Sequence, residues 1–272
     1  MSAIVVQRAL VLPQRVLASL GRATRRQVHF TLLLGALSLG LFREAARPHA
    51  WRRTVRGEFH RLLRESLGGG FATVLVTAAL VGVALVNQTL YWLIQIGQEN
   101  LIGSMLVNGL VRGIGPVLVG LILLGRSGMP MVAQLVGARA GGQVHAMEAQ
   151  GLDPFLLLVL PRAFALAAAS FTLTVIFIAV ALVTGFIADT LLQSSTVTFG
   201  TFLGQMEKAL VLADVVVFPI KASGIGHLIA LTAGITALEG SRHATTAHLL
   251  PQTFVRGILV IITFNVVLSL VT

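Results

Sequence analysis

Five long apolar runs, separated by shorter polar stretches, make up most of the chain after residue 70. Each run is longer than the roughly ten alternating residues of a barrel strand and has about the length that a membrane-spanning helix needs. The third run is long for one span but short for two spans and a turn, so we interpret it as one helix whose outer end becomes a loop. The predicted spans are Phe71–Ile96, Leu101–Leu124, Phe155–Ala188, Leu210–Leu238 and Phe254–Val271.

The residues before these runs mix apolar and basic side chains and are predicted to lie at the membrane surface. Residues 1–27 form a basic amphipathic segment, and Val28–Phe42 is apolar but short for a span, so we expect it to lie in or dip into the interface. Apolar residues then recur at helical spacing among arginines, which predicts an interfacial helix with a solvated helix as the alternative. These residues are Trp51, Val55, Phe59, Leu63 and Leu67.

Three consecutive glycines, Gly68-Gly69-Gly70, follow this helix and are expected to break it. We therefore divide the chain into an N-terminal interfacial part, residues 1–67, and a five-span part, residues 68–272. A polar connection over about residues 126–154 joins the second and third spans, and we interpret it as helical, entered through a glycine corner at Gly125-Arg126-Ser127-Gly128.

Composition supports an all-α integral membrane protein, because 56% of the residues are hydrophobic and only 11% are charged. So few charges cannot cover a soluble globule. The net charge of +10 does not indicate nucleic-acid binding, since twelve of the twenty lysines and arginines precede residue 65 and the others are scattered. The absence of cysteine excludes disulfides and thiolate metal sites.

The basic residues next to the spans predict the orientation of the chain. Arginines precede the first span and lie in the second and fourth connections, whereas the first connection has none and the third has only Lys208. By the positive-inside rule the N-terminus is cytoplasmic and the C-terminus is on the other side. We expect no removable signal peptide.

A few polar residues inside the spans are candidates for function. Arg112, in the second span, could contact a headgroup on a lipid pathway or be a structural charge bonded to neighbouring groups. Asp214 and Lys221 lie two helical turns apart on one face of the fourth span, where they could form a structural network, with Arg112 as a partner for Asp214, or handle substrate. Asn87 and Gln88 need interhelical partners.

Two other groups of residues are only weak indications of a catalytic or metal site. Ser127 lies in a G-x-S-G pattern like that of rhomboid intramembrane proteases, with His227 as a conceivable base. His243 and His248 lack a nearby third ligand, so no metal site is predicted. No catalytic residue is predicted either. No G-x-x-x-x-G-K-[ST] occurs, so an ATPase, if one drives this chain, is another polypeptide.

The stretch from Glu148 to Pro154, at the end of the polar connection, resembles the coupling helix of ABC permeases. The wider pattern resembles the MlaE-type permeases of bacterial phospholipid transport. The resemblance covers about residues 50–250. The matching residues are Arg52-Arg53-Thr54-Val55, Gln88, Arg112 with Gly115-Pro116, Gly125-Arg126 with Gly128, Arg139, Gln143, Met147-Glu148, Asp153-Pro154, Pro161-Arg162, Asp214 with Lys221, and Ala244-Thr245-Thr246.

The resemblance implies a permease subunit in the bacterial inner membrane that moves glycerophospholipid between this membrane and a periplasmic MCE-domain protein. It implies a homodimer with cytoplasmic ABC ATPase subunits that use ATP and Mg, often with a STAS-domain protein, and no cofactor in this chain. Implied lipid-pathway residues are Arg112, Asn87, Gln88, Asp214 and Lys221. Implied coupling residues are Arg139, Gln143, Met147, Glu148, Gly151, Asp153 and Pro154. The alternatives are the serine protease and a membrane scaffold without transport.

Three positions depart from the family pattern by lacking a carboxylate. They are Gly113 after the arginine of the second span, Gln134 after the glycine corner, and Gly142 before Gln143. This pattern indicates a divergent member, in which a charge-pair mechanism of the family does not transfer directly.

Overall fold

The computed structural model describes Arg25 and residues 27–47, 51–98, 101–192, 198–239 and 246–270. These residues form helices and contain no strand. Six of the helices are long and apolar enough to cross a membrane, which confirms the predicted all-α membrane class. In chain order the helices are α1 Gln27–Ala45, α2 Arg53–Gln95, α3 Ile102–Ala140, α4 Gln143–Ala149, α5 Pro154–Leu192, α6 Phe199–Ala209, α7 Leu212–Glu239 and α8 Thr246–Ser269.

The chain forms two compact units, Met1–Arg47 and Pro48–Thr272. In the first unit, α1 extends past the predicted apolar run at both ends and reaches 19 residues, so it also has the length of a span. Its place at the interface stays a prediction. The predicted amphipathic segment at residues 1–24 and 26, together with His243, Ala244 and Thr245, lies outside the described residues.

The second unit begins with α2, an unbroken helix of 43 residues. The predicted break at Gly68–Gly70 is therefore wrong. Glycine costs a helix about 1 kcal/mol relative to alanine, whereas a backbone group without a partner in an apolar medium costs several. The helix thus continues, with a buried stripe at four-residue spacing that includes Ser66, Gly70 and Val74.

The predicted glycine corner after the second span is also wrong. α3 runs for 39 residues, and Leu124–Gly128 is a π-helical turn within it, as is the longer segment Val107–Ile114. Such turns insert a residue into the helix without breaking it. The connection beyond residue 128 is helical as predicted, first in α3 and then in the short α4.

The remaining spans differ from the predictions mainly at their ends. The third is one long helix as predicted, but α5 stays helical to Leu192 rather than ending in a loop near Ala188. The last helix begins at Thr246, well before Phe254. A further helix, α6, occupies the connection between α5 and α7, where no element was predicted.

Packing in the second unit centres on α5, which lies along α2 on one side and α7 on the other. α2 and α5 lie very close together at Gly82 and Gly185, where an added Cβ would collide with the other helix. Small residues of this kind drive helix association in membranes. At the end of the bundle that carries α6, a buried cluster joins α2, α3 and α6 through Leu90, Leu106 and Phe202.

Candidate functional site

Arg112 and Asp214, which are far apart in the sequence, bond to each other between α3 and α7. Arg112 lies in the π-helical segment of α3, and Asp214 lies in the first turn of α7. The guanidinium binds the carboxylate with two hydrogen bonds, from Nε to Oδ1 and from Nη2 to Oδ2, each 2.6 Å long. Asp214 Oδ2 also accepts from the Val211 N–H, so the carboxylate caps the start of α7, where the helix dipole favours negative charge.

Lys221 completes this cluster by bonding to the backbone of α3. Its Nζ donates to the Arg112 carbonyl oxygen at 2.6 Å and to Ser269 Oγ at 2.7 Å. The Arg112 carbonyl belongs to the π-helical segment of α3, and Ser269 is the last residue of α8. The Lys221 ammonium therefore links α3, α7 and α8.

The three charged residues form a closed arrangement. Asp214 and Lys221 are 3% and 2% exposed, and the space that they enclose with Arg112 is about 10 Å³. That volume is at the lower limit for a single water molecule. The predicted pairing of Arg112 with Asp214 is present in the structure, and the cluster leaves no room for a headgroup between its members.

Asn87 and Gln88 lie elsewhere, in an open groove along the second half of α2. The groove has a volume of about 740 Å³ and is mostly apolar, with Val83, Ala84 and Tyr91 among its lining residues. The Asn87 amide nitrogen donates to the Val83 carbonyl at 2.8 Å, within its own helix. All of its lining residues belong to α2, so the groove is a mostly apolar surface that is open on its other side.

The predicted coupling residues lie around α4, at the end of the second unit where α3 ends and α5 begins. α4 has no buried residue, so its side chains are available to a partner. Gly142 and Gly151 flank it with φ of 75° and 72°, values that other residues adopt only with strain. Asp153 then accepts from the Phe155 N–H, and Pro154 is the first residue of α5. α4 is therefore held between two sharp turns.

The individual coupling residues differ in their contacts. Arg139, in the last turn of α3, donates to the Ala237 carbonyl at 2.8 Å and so ties the ends of α3 and α7 together. Gln143 begins α4 and is exposed, and Met147 is half-buried. Glu148 is exposed, and its carboxylate is 3.5 Å from His145 Nδ1. Glu148 is therefore an exposed charge on α4.

The two residues of the protease hypothesis have different surroundings. Ser127 lines a cavity with Arg126 and Arg162, whereas His227 has its ring against Phe164 at a centroid distance of 5.7 Å. Across the described part of the chain, no group of three histidines or carboxylates could hold a metal ion.

Residues 59–271 match the family of the permease MlaE, which is more than half of the chain. The chain belongs to the MlaE permease family. It is 28% identical over 107 residues to the intermembrane phospholipid transport system permease protein MlaE of Haemophilus influenzae, covering 39% of this chain and 41% of the relative. It is 35% identical over 107 residues to a probable ABC transporter permease protein of Rickettsia prowazekii, covering 38% and 41%.

A plant relative matches over a longer stretch of this MlaE-family chain. The protein TRIGALACTOSYLDIACYLGLYCEROL 1, chloroplastic, of Arabidopsis thaliana is 26% identical over 197 residues, covering 71% of the chain and 54% of the relative. The matches thus span about half or less of the length of these relatives. Membership of a permease family, together with the apolar helices, makes this a multi-pass membrane protein.

The three positions at which this MlaE-family member lacks a carboxylate differ in their surroundings in the structure. Gly142 has a positive φ, so glycine relieves strain there that an acidic residue would carry. Gln134 Oε1 lies 3.5 Å from Arg162 Nη2, where a glutamate would have formed an ion pair. An added Cβ at Gly113 would lie 3.2 Å from the Asn108 carbonyl, which is tight.

Sequence reasoning missed several residues of the charge cluster. Asn108 Oδ1 accepts from Arg112 Nη1 at 2.9 Å, and its position four residues before Arg112 could have shown this. The contact with Ser269 depends on the packing of α8 and has no signal in the sequence.

Proposed function

We propose that this chain is the permease subunit of an ATP-binding-cassette transporter that moves glycerophospholipid between the bacterial inner membrane and a periplasmic MCE-domain protein. It works as a homodimer with cytoplasmic ATPase subunits, which bind Mg and hydrolyse ATP, and with a STAS-domain protein on the ATPase. The N-terminus is cytoplasmic and the C-terminus periplasmic, in keeping with the arginines beside the spans. Family membership and the names of the relatives support this proposal.

The observation that carries the proposal is the geometry of α4. A seven-residue helix without buried residues contributes little to the packing of its own chain, yet positive-φ glycines hold it on both sides. A rigid exposed helix between two long spans is suited to insert into a groove of a motor protein and to transmit its movement to both spans.

A charge reversal in α4 tests the coupling role. We expect Glu148→Arg to reduce co-purification of the ATPase by at least about tenfold, because a like charge across an interface costs several kcal/mol. Glu207→Arg is the matched control, since Glu207 is also exposed but lies in α6, far along the chain from α4. Equal recovery of the ATPase with wild type and Glu148→Arg would refute the assignment of α4.

The lipid role assigns the groove beside Asn87 and Gln88 to an acyl chain. Ala84→Trp would occupy part of the groove, and we expect it to lower the amount of phospholipid that mass spectrometry finds with the protein after purification in mild detergent. Ala72→Trp is the control, because Ala72 is exposed on the same helix outside the groove. Unchanged phospholipid with both variants would count against the groove.

The same purification separates this function from its alternatives. Recovery of an ABC ATPase, an MCE-domain protein and phospholipid is expected. Recovery of the chain alone would favour a membrane scaffold without transport. Labelling of Ser127 by a serine-reactive probe would favour the protease, which the family match disfavours.

A further inference from the structure

A second polar cavity lies between α2, α3 and α5, away from the charge cluster and the groove. Its volume is about 180 Å³, and its polar lining consists of Glu65, Ser66, Arg126, Ser127, Gln134 and Arg162. It contains two arginines, and none of its residues belongs to the lipid pathway or coupling set described above.

Arg162 is the decisive member of this lining, because it is 7% exposed and poorly bonded. Its Nη1 donates to the Leu158 carbonyl in its own helix at 2.7 Å, and its Nη2 reaches only the neutral Gln134 amide oxygen at 3.5 Å. Its Nε is buried and has no hydrogen-bond partner. A guanidinium has five donors, so most of those on Arg162 are unused by the chain.

The nearby carboxylates do not neutralise Arg162 effectively. The closest approach is 3.9 Å, from Glu58, which already accepts two hydrogen bonds from Arg61 at 2.6 and 3.0 Å. The Glu65 side chain is exposed, and no hydrogen bond joins it to Arg162 among the described contacts. Arg162 is thus a buried cation whose charge is only partly compensated by a carboxylate that Arg61 shares, and an anion bound in the cavity would complete the compensation.

We propose that this cavity binds a phosphate-bearing anion, held by the guanidinium groups of Arg162 and Arg126 and the hydroxyl of Ser127. Arg126 is exposed and has one long contact, 3.4 Å to Thr73 Oγ1, so its side chain can turn toward a ligand. Arginine forks match phosphate oxygens with paired hydrogen bonds. The anion is either a lipid headgroup phosphate or free phosphate, since the recognition chemistry is the same.

The site is separate from the proposed transport function. It would hold its anion in the chain alone, so a binding assay on the purified full-length chain is independent of whether an ATPase or an MCE protein is a partner.

The test measures the thermal unfolding midpoint of the purified chain in a neutral maltoside detergent. The probes are sodium phosphate, with sodium chloride as the control at equal ionic strength, and dioctanoyl-phosphatidylglycerol, with dioctanoylglycerol as the control. A ligand that binds only the folded protein raises the midpoint in proportion to the logarithm of its concentration. A rise with phosphate identifies free phosphate as sufficient, and a rise with the phospholipid alone identifies a headgroup.

The decisive variant is Gln134→Glu, which places a carboxylate beside Arg162 without removing an arginine. We expect a higher midpoint without ligand and at least about a tenfold loss of apparent affinity, because the new charge both pairs with Arg162 and repels the anion. Arg64→Gln is the control, since Arg64 is an exposed arginine of α2 outside the cavity, and we expect it to keep the wild-type response. The proposal is overturned if neither probe raises the wild-type midpoint beyond its control, or if Gln134→Glu responds like wild type.

Discussion

Replacing Asp214 by asparagine isolates the charge of the Arg112–Asp214 pair, since the side chain keeps its size. The carboxylate is 3% exposed and accepts two hydrogen bonds of 2.6 Å from Arg112. Removing one partner of a fully buried ion pair costs about 3–5 kcal/mol. The Arg112 side chain is 24% exposed and can regain some solvation, so we expect a loss of about 2–3 kcal/mol in the free energy of unfolding.

A double-mutant cycle measures how much of that loss belongs to the pair. The proteins are wild type, Asp214→Asn, Arg112→Gln and the double variant, unfolded reversibly with dodecyl sulfate in maltoside micelles and followed by circular dichroism. We expect a coupling of about 1.5–2 kcal/mol, because the second substitution removes a charge that has already lost its partner. Glu207→Gln, at an exposed site, is the control and should stay within about 0.5 kcal/mol of wild type. Additivity of the two single effects to within about 0.5 kcal/mol would refute the reasoning.

Two further predictions concern glycines. Gly142→Ala and Gly151→Ala are each expected to cost about 1–2 kcal/mol of unfolding free energy, because both glycines have a positive φ. The control Gly137→Ala, within α3, should be neutral or stabilising. Equal unfolding midpoints for all three variants would contradict this prediction. Gly82→Leu should separate α2 from α5 and lower the unfolding midpoint or the yield of folded protein, whereas Gly68→Ala has open space around it and should stabilise α2 by about 0.5–1 kcal/mol. A folded Gly82→Leu protein with an unchanged midpoint would show that this close approach is dispensable.

The sequence predicted the helical class and the long spans because apolar runs of this length have few alternatives in a membrane. It also made Arg112 one candidate partner for Asp214, since a charge in a span needs a partner, and the structure contains this pair. The glycine breaks were wrong because glycine ends helices most readily where water can bond to the freed backbone. Inside an apolar run the helix itself is the only source of such bonds, so the run of glycines in α2 continues the helix.

The parts that were missed divide into those with a signal and those without one. Phe199, Phe202, Leu203 and Met206 have helical spacing that could have predicted α6, and two of them are buried in the cluster at that end. The tie between Arg139 and the carbonyls at the end of α7 could not be predicted, because backbone acceptors are the same at every position. The cavity around Arg162 likewise depends on how three helices meet.

The bonds of Lys221 have a consequence for how the bundle can move. A lysine inside a span often indicates a proton carrier, but this ammonium donates to the backbone of α3 and to the end of α8, so giving up its proton would weaken a joint between three helices. The ammonium is therefore part of the scaffold that holds these helices together. A movement that separates any two of the three helices would first have to break one of these bonds.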